Sequence, residues 1–249
     1  MRCAIISDIH ANREALEAVL GEIETLAVEA VYCLGDLVGY NADPDFCVRA
    51  ILSRCDATIR GNHDKAVAGL LDLDWFNGMA RGAVLWTRRV ASDDTMATLR
   101  ALAKGPVEPW QGILLCHGTP YDEDAYLLDH QTMERSFRCL DNDWPGTRFC
   151  FHGHTHSPLV VSRKRGEPRM EVHAWQESTE LEAQSVYLIN PGSVGQPRDG
   201  IAMASFGILD SGKMLYTNRR VAYRIRATQE KIVKAGLPPV LARRLAEGR

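Results

Sequence analysis

Asn62-His63-Asp64 places an amide, an imidazole and a carboxylate in consecutive positions, directly after Gly61, which lets the backbone turn. Ala57-Thr58-Ile59 before it reads as a strand and Ala66 to Ala68 after it suits a helix start, so the triplet stands at a strand mouth, where α/β architectures usually place their chemistry. Alone, it is explained as a turn rich in Asn and Asp. Four other strand ends carry clusters of the same kind: Asp8-Ile9-His10, Gly35-Asp36, His117-Gly118 and His154-Thr155-His156. In an extended chain Asp8 and His10 project to one side, and so do His154 and His156. Asp8 and His10, Asp36, Asn62 and His63, His117, and His154 and His156 supply two carboxylates, one amide and five imidazoles, without a thiolate. That mixture suits Mn²⁺, Fe, Zn²⁺, Co²⁺ or Ni²⁺ rather than Ca²⁺. One ion cannot use so many ligands, so two divalent transition-metal ions are expected. Such a pair can hold a bridging hydroxide and clamp the attacking and leaving oxygens of a phosphoryl displacement, with one carboxylate shared between the ions.

These ends need elements to carry them, and the apolar pattern provides them. Strands are expected at Cys3 to Ser7, Val31 to Leu34, Ala57 to Ile59, Ile113 to Cys116 and Phe149 to Phe151, each ending in one of the clusters. Helices are expected at Arg13 to Glu24, Pro44 to Ser53, Gly78 to Val90 and Asp93 to Lys104, the last capped by Ser92 and stopped by Gly105-Pro106. Leu70 to Asn77 reads as an exposed loop holding Trp75 and Phe76. The segment 119–147, with Tyr121, Tyr126, Trp144 and a helix near Gln131 to Leu140, reads as a substrate-binding cap. Strands follow at Leu159 to Ser162, Met170 to Ala174, Val186 to Ile189, Ala202 to Leu209 and Met214 to Thr217, the last two joined by an Asp210-Ser211-Gly212-Lys213 hairpin. A tail over 228–249 reads as two short helices broken at Gly236-Leu237-Pro238-Pro239.

At 249 residues without a low-complexity linker, the chain reads as one domain over 1–249. Its net charge of −3 provides no global basic field, which argues against nucleic acid as a partner, and the basic run Arg163-Lys164-Arg165 before Gly166 reads as a solvated turn. The start at Met1 enters a strand without a leader pattern, and no stretch approaches ~18 consecutive apolar residues, so a soluble, cytoplasmic protein without a membrane partner is expected. Seven cysteines without a C-x-x-C pair argue against a disulfide framework and a thiolate zinc site. His130, His152 and His173 lack the strand-end setting and read as structural or surface residues.

The ordered set D-x-H, G-D, G-N-H-D, H and G-H-x-H from Asp8 to His156 resembles the calcineurin-like metallophosphoesterases. The resemblance implies an α/β fold of four layers, two mixed β-sheets face to face with helices outside. It also implies a dinuclear metal site. Asp8, His10, Asp36 and His156 would hold the first ion, Asp36 would bridge, and Asn62, His117 and His154 would complete the second. His63 would be the catalytic residue that stabilises or protonates the leaving group. Relatives acting on phosphoserine and phosphothreonine continue the second motif as G-D-x-V-D-R-G, whereas this chain has Gly35-Asp36-Leu37-Val38-Gly39-Tyr40. The carboxylate that orients the histidine and the arginine that grips phosphate are absent there, which argues against protein phosphatase activity. The chain is more similar to small bacterial and archaeal phosphodiesterases of the superfamily, including diadenosine tetraphosphate hydrolase-like members.

The expected function is hydrolysis of a small phosphodiester or nucleotide. A dinucleoside polyphosphate hydrolase is the alternative if Trp75, Phe76, Tyr121, Tyr126 and Trp144 form a base-stacking cleft. A non-catalytic interaction scaffold is the reading from another class, because the retromer subunit of this fold resembles an enzyme that has lost activity. That subunit lacks the catalytic histidine, and this chain keeps His63. An oligomer is compatible with either reading. For the missing phosphate grip, the loop from Asn190 to Asp199 offers Arg198, with prolines fixing its path and Gly192 and Gly195 allowing close approach. The plain alternative for Arg198 is an ion pair with Asp199.

Overall fold

Strand β1 (Arg2–Ile6) alternates between two cores: Cys3 and Ile5 enter one, Ala4 and Ile6 the other. Strand β2 (Ala30–Cys33) does the same with Tyr32 and Cys33. A strand buried on both faces must be covered on both, and this chain covers one face with a second sheet and the other with helices. The computed structural model describes residues 1–174 and 176–249. The remaining strands are β3 (Ala57–Thr58), β4 (Val107–Trp110), β5 (Ile113–Leu115), β6 (Phe149–Phe151), β7 (Leu159–Lys164), β8 (Met170–Val172), β9 (Ser178–Glu180), β10 (Ser185–Asn190), β11 (Ala204–Asp210) and β12 (Leu215–Val221). They form two six-stranded sheets, ordered β3-β2-β1-β11-β12-β9 and β4-β5-β6-β10-β7-β8. Each is mixed: β1 runs parallel to β2 and antiparallel to β11, and β10 parallel to β6 and antiparallel to β7.

The inner core joins Cys3, Ile5, Tyr32 and Leu34 of the first sheet to Phe149, Phe151, Tyr187 and Ile189 of the second. Helices α1 (Arg13–Glu24), α2 (Pro44–Arg54), α3 (Asn62–Ala68) and α5 (Asp93–Ala101) cover the outer face of the first sheet. Helix α6 (His130–Asp143) covers the second through Met133, Phe137 and Leu140. Helices α4 (Gly78–Val90), α7 (Ile225–Lys234) and α8 (Pro239–Glu247) form a satellite cluster closed by Tyr40. No helix among the described residues is long and apolar enough to cross a membrane.

Several local expectations need correction. Helix α5 stops at Ala101, not Lys104, because Ala103 is drawn to the sheet edge, bridging Ile59 and accepting the Arg60 N–H at 2.9 Å. Arg163 is not in a solvated turn. It lies in β7, 8% exposed, with its guanidinium over the Phe137 ring and bonded to Asp141; the turn comes at Arg165 and Gly166. Strands β4 and β9 were not expected from the sequence. In the 119–147 segment, α6 is an outer layer of the sandwich, and only the stretch from Asp122 to Tyr126 reaches the cleft described below.

Candidate metal centre

Strands β1, β2 and β3 of the first sheet and β5 and β6 of the second end at one common edge, and each end delivers its polar residues there. Asp8, His10, Asp36, His117, His154 and His156 are all buried, and Asn62 is half-buried. Extended backbone does not bring them together, contrary to the expectation for Asp8/His10 and His154/His156. Asp8, His10, Asp36, His154 and His156 have φ between 47° and 65°, and they make up five of the eight described non-glycine residues with positive φ. Left-handed backbone in such residues costs energy and collects where side chains must be aimed. Here it separates His154 from His156, which join different groups.

Donor atoms of Asp8, His10, Asp36 and His156 lie within 4.8 Å of one another, and so do those of Asp36, His117 and His154. Asp36 belongs to both groups. Its Oδ1 accepts the His63 N–H at 2.8 Å, which turns Oδ2 to stand 3.6 Å from His10 Nε2 and 3.5 Å from His117 Nε2. Asn62 Oδ1 is 3.2 Å from His117 Nε2 and joins the second group.

The hydrogen bonds behind the rings decide what they present. Nδ1 of His10, His117 and His156 faces the carbonyls of Val38, Leu34 and Gln196 at 3.1, 2.8 and 2.7 Å. A carbonyl only accepts, so each Nδ1 carries a proton, and wherever the ring is neutral Nε2 turns a lone pair inward. The Nε2 atoms of His10 and His156 are 3.1 Å apart, two lone pairs face to face. Asp36 Oδ2 and His154 Nε2 are buried without a hydrogen-bond partner. Groups so placed are costly unless a cation lies among them.

Protonation preferences agree. Burial pushes His10 and His156 well below the usual imidazole range and His154 down to about 3, leaving them as lone-pair donors at neutral pH. Burial lifts Asp8 to about 6 against the pull of His117, and the Asp36 charge adds to the rise. For Asp36 burial acts upward, but His117 and His63 outweigh it and hold the carboxyl well below its ordinary value. His117 resists the downward push of burial through Asp36 and rises to about 10. A proton there can balance Asp36, but it cannot also serve the His10/His156 pair. The two donor groups, which share Asp36, therefore fit a bound metal better than they fit a proton.

His63, 4% exposed, is walled by Tyr40 and Phe76 at ring distances of 4.5 and 5.0 Å and by His10 at 4.8 Å. Gly39, at φ +93°, faces its Nδ1: a Cβ there would lie 2.4 Å from that nitrogen, which has no hydrogen-bond partner. Burial lowers His63 to about 4, so its ring is neutral near pH 7. Asp64 accepts backbone N–H groups of Leu37, Val38 and Gly61 at 2.8, 3.3 and 2.9 Å, fastening the Asp36 loop to the start of α3. Arg198 does not pair with Asp199, which is taken by Arg220. Its Nη2 donates to the Tyr40 hydroxyl at 3.3 Å and to Gln196 Oε1 at 3.2 Å. Sequence reasoning gives Tyr40, Asp64 and Gln196 no role, although Asp64 closes the Asn62-His63-Asp64 triplet and Tyr40 stands where the arginine motif breaks; Phe76 and Tyr126, among the aromatics it set at a base-stacking cleft, do line one.

Beside the cluster lies a cleft of about 520 Å³ bordered by Tyr40, His63, Trp75, Phe76, Tyr126 and His154. Tyr126 stacks on His154 with ring centroids 3.8 Å apart. Tyr121 instead lies under Arg135, and Trp144 packs against the α6 core, so neither is a wall of the cleft. Buried Lys65 pins the Tyr126 loop to α3 through Glu123 and Asp124, at 3.0 and 2.6 Å.

Residues 1–214 match the profile of the calcineurin-like phosphoesterase superfamily domain. An uncharacterized protein of Methanocaldococcus jannaschii is 38% identical over 249 residues, spanning 99% of this chain and 98% of its own. The crystal structure of a metallophosphoesterase from Sphaerobacter thermophilus superposes with a TM-score of 0.84 at 36% identity, covering 100% of this chain and 99% of that one. A hypothetical protein from Pyrococcus horikoshii shares the fold at 18% identity, with a TM-score of 0.77 and coverage of 100% and 98%.

Proposed function

Because the chain belongs to the calcineurin-like phosphoesterase superfamily, we propose that it is a metal-dependent hydrolase of a small phosphodiester or nucleotide. In this reading Asp8, His10, Asp36 and His156 hold one divalent ion, and Asp36, Asn62, His117 and His154 the other. The observation that carries it is Asp36 Oδ2, unsatisfied and nearly equidistant from His10 Nε2 and His117 Nε2. When bound, the ions lower the pKa of water and offset charge on the phosphoryl group.

The chain's own residues do the rest. His63 borders the cleft with Nδ1 turned to Gly39, so Nε2 is the nitrogen left to stabilise the leaving oxygen by donating a hydrogen bond from the neutral ring. Arg198, unpaired with any acid among the described residues, grips non-bridging phosphate oxygens with its planar guanidinium. Phe76 and Tyr126 exclude water from the cleft, and exposed Trp75 at its rim offers a face to a planar leaving group. These aromatic walls support a nucleotide within the phosphodiester class, dinucleoside polyphosphates included. The presence of His63 beside a full donor set supports an enzyme over a scaffold, and seven free cysteines fit the reducing cytoplasm.

The test is hydrolysis of bis(p-nitrophenyl) phosphate by protein stripped of metal and then supplied with Mn²⁺, Fe²⁺, Zn²⁺, Co²⁺ or Ni²⁺. Turnover should vanish on chelation and return with at least one of these ions. Full activity in a verified metal-free preparation would sink the reading.

A further inference from the structure

The cleft opens directly from the candidate metal centre: His63 and His154, both more than nine-tenths buried, form part of its wall, and His154 Nε2 there has no hydrogen-bond partner. Its other sides differ in character. One presents the rings of Trp75 and Phe76, and the other, the Tyr126 loop, brings the carboxylates of Asp122 and Asp124. Among the described residues, no lysine or arginine lines the cleft.

The charges of that loop do not cancel. Glu123 is engaged by Lys65 at 3.0 Å and Arg60 at 3.2 Å, and Asp124 by the same Lys65 at 2.6 Å. Asp122 forms no ion pair among the described residues, and its Oδ1 accepts the Asp124 N–H at 2.9 Å. Asp124 Oδ1 is buried and has no hydrogen-bond partner. Two cations therefore serve three carboxylates, and the wall keeps an excess of negative charge. A phosphate placed against it would be repelled, because like charges brought together at a binding surface are strongly disfavoured. A planar group is accepted by the aromatic side, more so if it is cationic, and carboxylate oxygens accept hydrogen bonds from hydroxyl or amino groups.

We propose that this cleft is the leaving-group subsite and that it selects by charge, admitting a planar group that is uncharged or cationic, such as a nucleoside, and rejecting one that retains a phosphate. Asp122 and Asp124 set this specificity, and Trp75 and Phe76 provide the stacking wall. In the reaction, water adds its oxygen to phosphorus, the P–O bond to the leaving group breaks beside His63, and the released alcohol keeps a proton from that water. The inference rests on the phosphoesterase reading. Within it, phosphodiesters that release a nucleoside rank above dinucleoside polyphosphates, whose leaving group keeps a phosphate.

The test has a binding arm and a turnover arm. Phenyltrimethylammonium, benzyl alcohol and benzenesulfonate are titrated calorimetrically into the full-length, metal-free protein. The metal-loaded protein is then assayed on three methyl aryl phosphates whose phenols carry a meta trimethylammonio, nitro or sulfonate group, with rates corrected for phenol acidity. The sulfonate should bind at least about tenfold more weakly than the cation or the alcohol, and kcat/KM should follow the same order. Trp75→Ala should weaken binding of the cation and the alcohol. Asp122→Asn, which keeps the Oδ1 acceptor, should narrow the gap between nitro and sulfonate esters by about threefold, the share of one exposed charge, and adding Asp124→Asn should nearly close it. Glu134→Gln, on the exposed side of α6, should keep the wild-type gap. If the double variant does not fold, Asp122→Asn alone carries the expectation. A sulfonate that binds or turns over as well as the neutral compound, or a gap left unchanged by the aspartate substitutions, would overturn the subsite while leaving the phosphoesterase reading in place. Failure of the metal-loaded protein to hydrolyse any phosphoester, with the binding order intact, would instead remove that reading and leave the charge selection of the cleft standing.

Discussion

Gly39→Ala should displace His63 without touching a metal ligand. At φ +93° an alanine accepts left-handed strain of about 1–2 kcal/mol. Its Cβ would also stand 2.4 Å from His63 Nδ1, so the ring must retreat by about 1 Å to reach ordinary contact. Tyr40, Phe76 and His10 already wall that ring, and overpacking of this kind costs roughly 1–3 kcal/mol more. Gly69→Ala provides the control: its φ is +81°, but nothing lies within 4 Å of the added Cβ, so only the backbone strain applies. Thermal unfolding of the two variants side by side should place Gly39→Ala lower by roughly 2–12 °C, the clash alone at ~2–4 °C per kcal/mol for a chain of this size. Metal content should stay at the wild-type level, while kcat on an activated phosphodiester should fall by about 10², the usual consequence of a 1 Å misplacement. Equal melting temperatures for the two variants with unchanged kcat would refute the idea that Gly39 sets the position of His63.

Metal analysis should separate ligand from catalyst: Asp36→Asn should lose occupancy at both sites, whereas His63→Gln should keep the metal and lose kcat by roughly 10²–10⁴. Loss of metal in a folded His63→Gln protein would show that His63 is a ligand. Arg198→Ala should raise KM for nucleotide-like substrates with metal content unchanged, and Arg198→Lys should restore only part, because a point charge cannot reproduce the bidentate fork; unchanged kinetics across a nucleotide panel would assign Arg198 to structure. Glu14, where burial is outweighed by hydrogen bonds from Lys231 and Thr228, has a folded-state pKa below its unfolded value, so its stabilising contribution is present above about 4.3 and lost as pH falls through the folded value. Wild type should thus melt above Glu14→Gln at pH 7, and melting curves should converge toward pH 3; a gap that widens with acid would contradict this sign.

What the chain discloses by itself follows from where local pattern and tertiary demand agree. Strands β1, β2, β5, β6 and β10 are apolar on both faces, so they read plainly, and the polar residues at several of their ends stand out against that background. Strands β4 and β9 are short, exposed on alternate residues and at sheet edges, and β4 contains Pro109; only their neighbours make them strands. The convergence of Asp8 with His10 was legible, but its cause was not, since left-handed backbone at aspartate and histidine leaves no mark in composition. Tyr40 and Arg198 lie 158 positions apart, and their hydrogen bond depends on the loop after β10 returning to the edge of the first sheet. Arg163 misled because a basic run is normally solvated, whereas the long arginine stem covers Phe137.

The placement of β1 has a consequence for biosynthesis. It sits between β2 and β11, with Ile5 opposite Gly207 and Arg2 opposite Asp210, so one of its two edges stays open until synthesis enters about the last fifth of the chain. A nascent chain that has reached Pro158 already contains every candidate ligand, but the backbone that aims them comes later. Val194 and Gly195 donate to the carbonyls of Ser7 and Asp8, and the Gln196 carbonyl holds His156. Translation therefore delivers the ligands long before it delivers the site, and a ribosome-bound chain has imidazoles and carboxylates to offer a passing ion but no geometry with which to keep it.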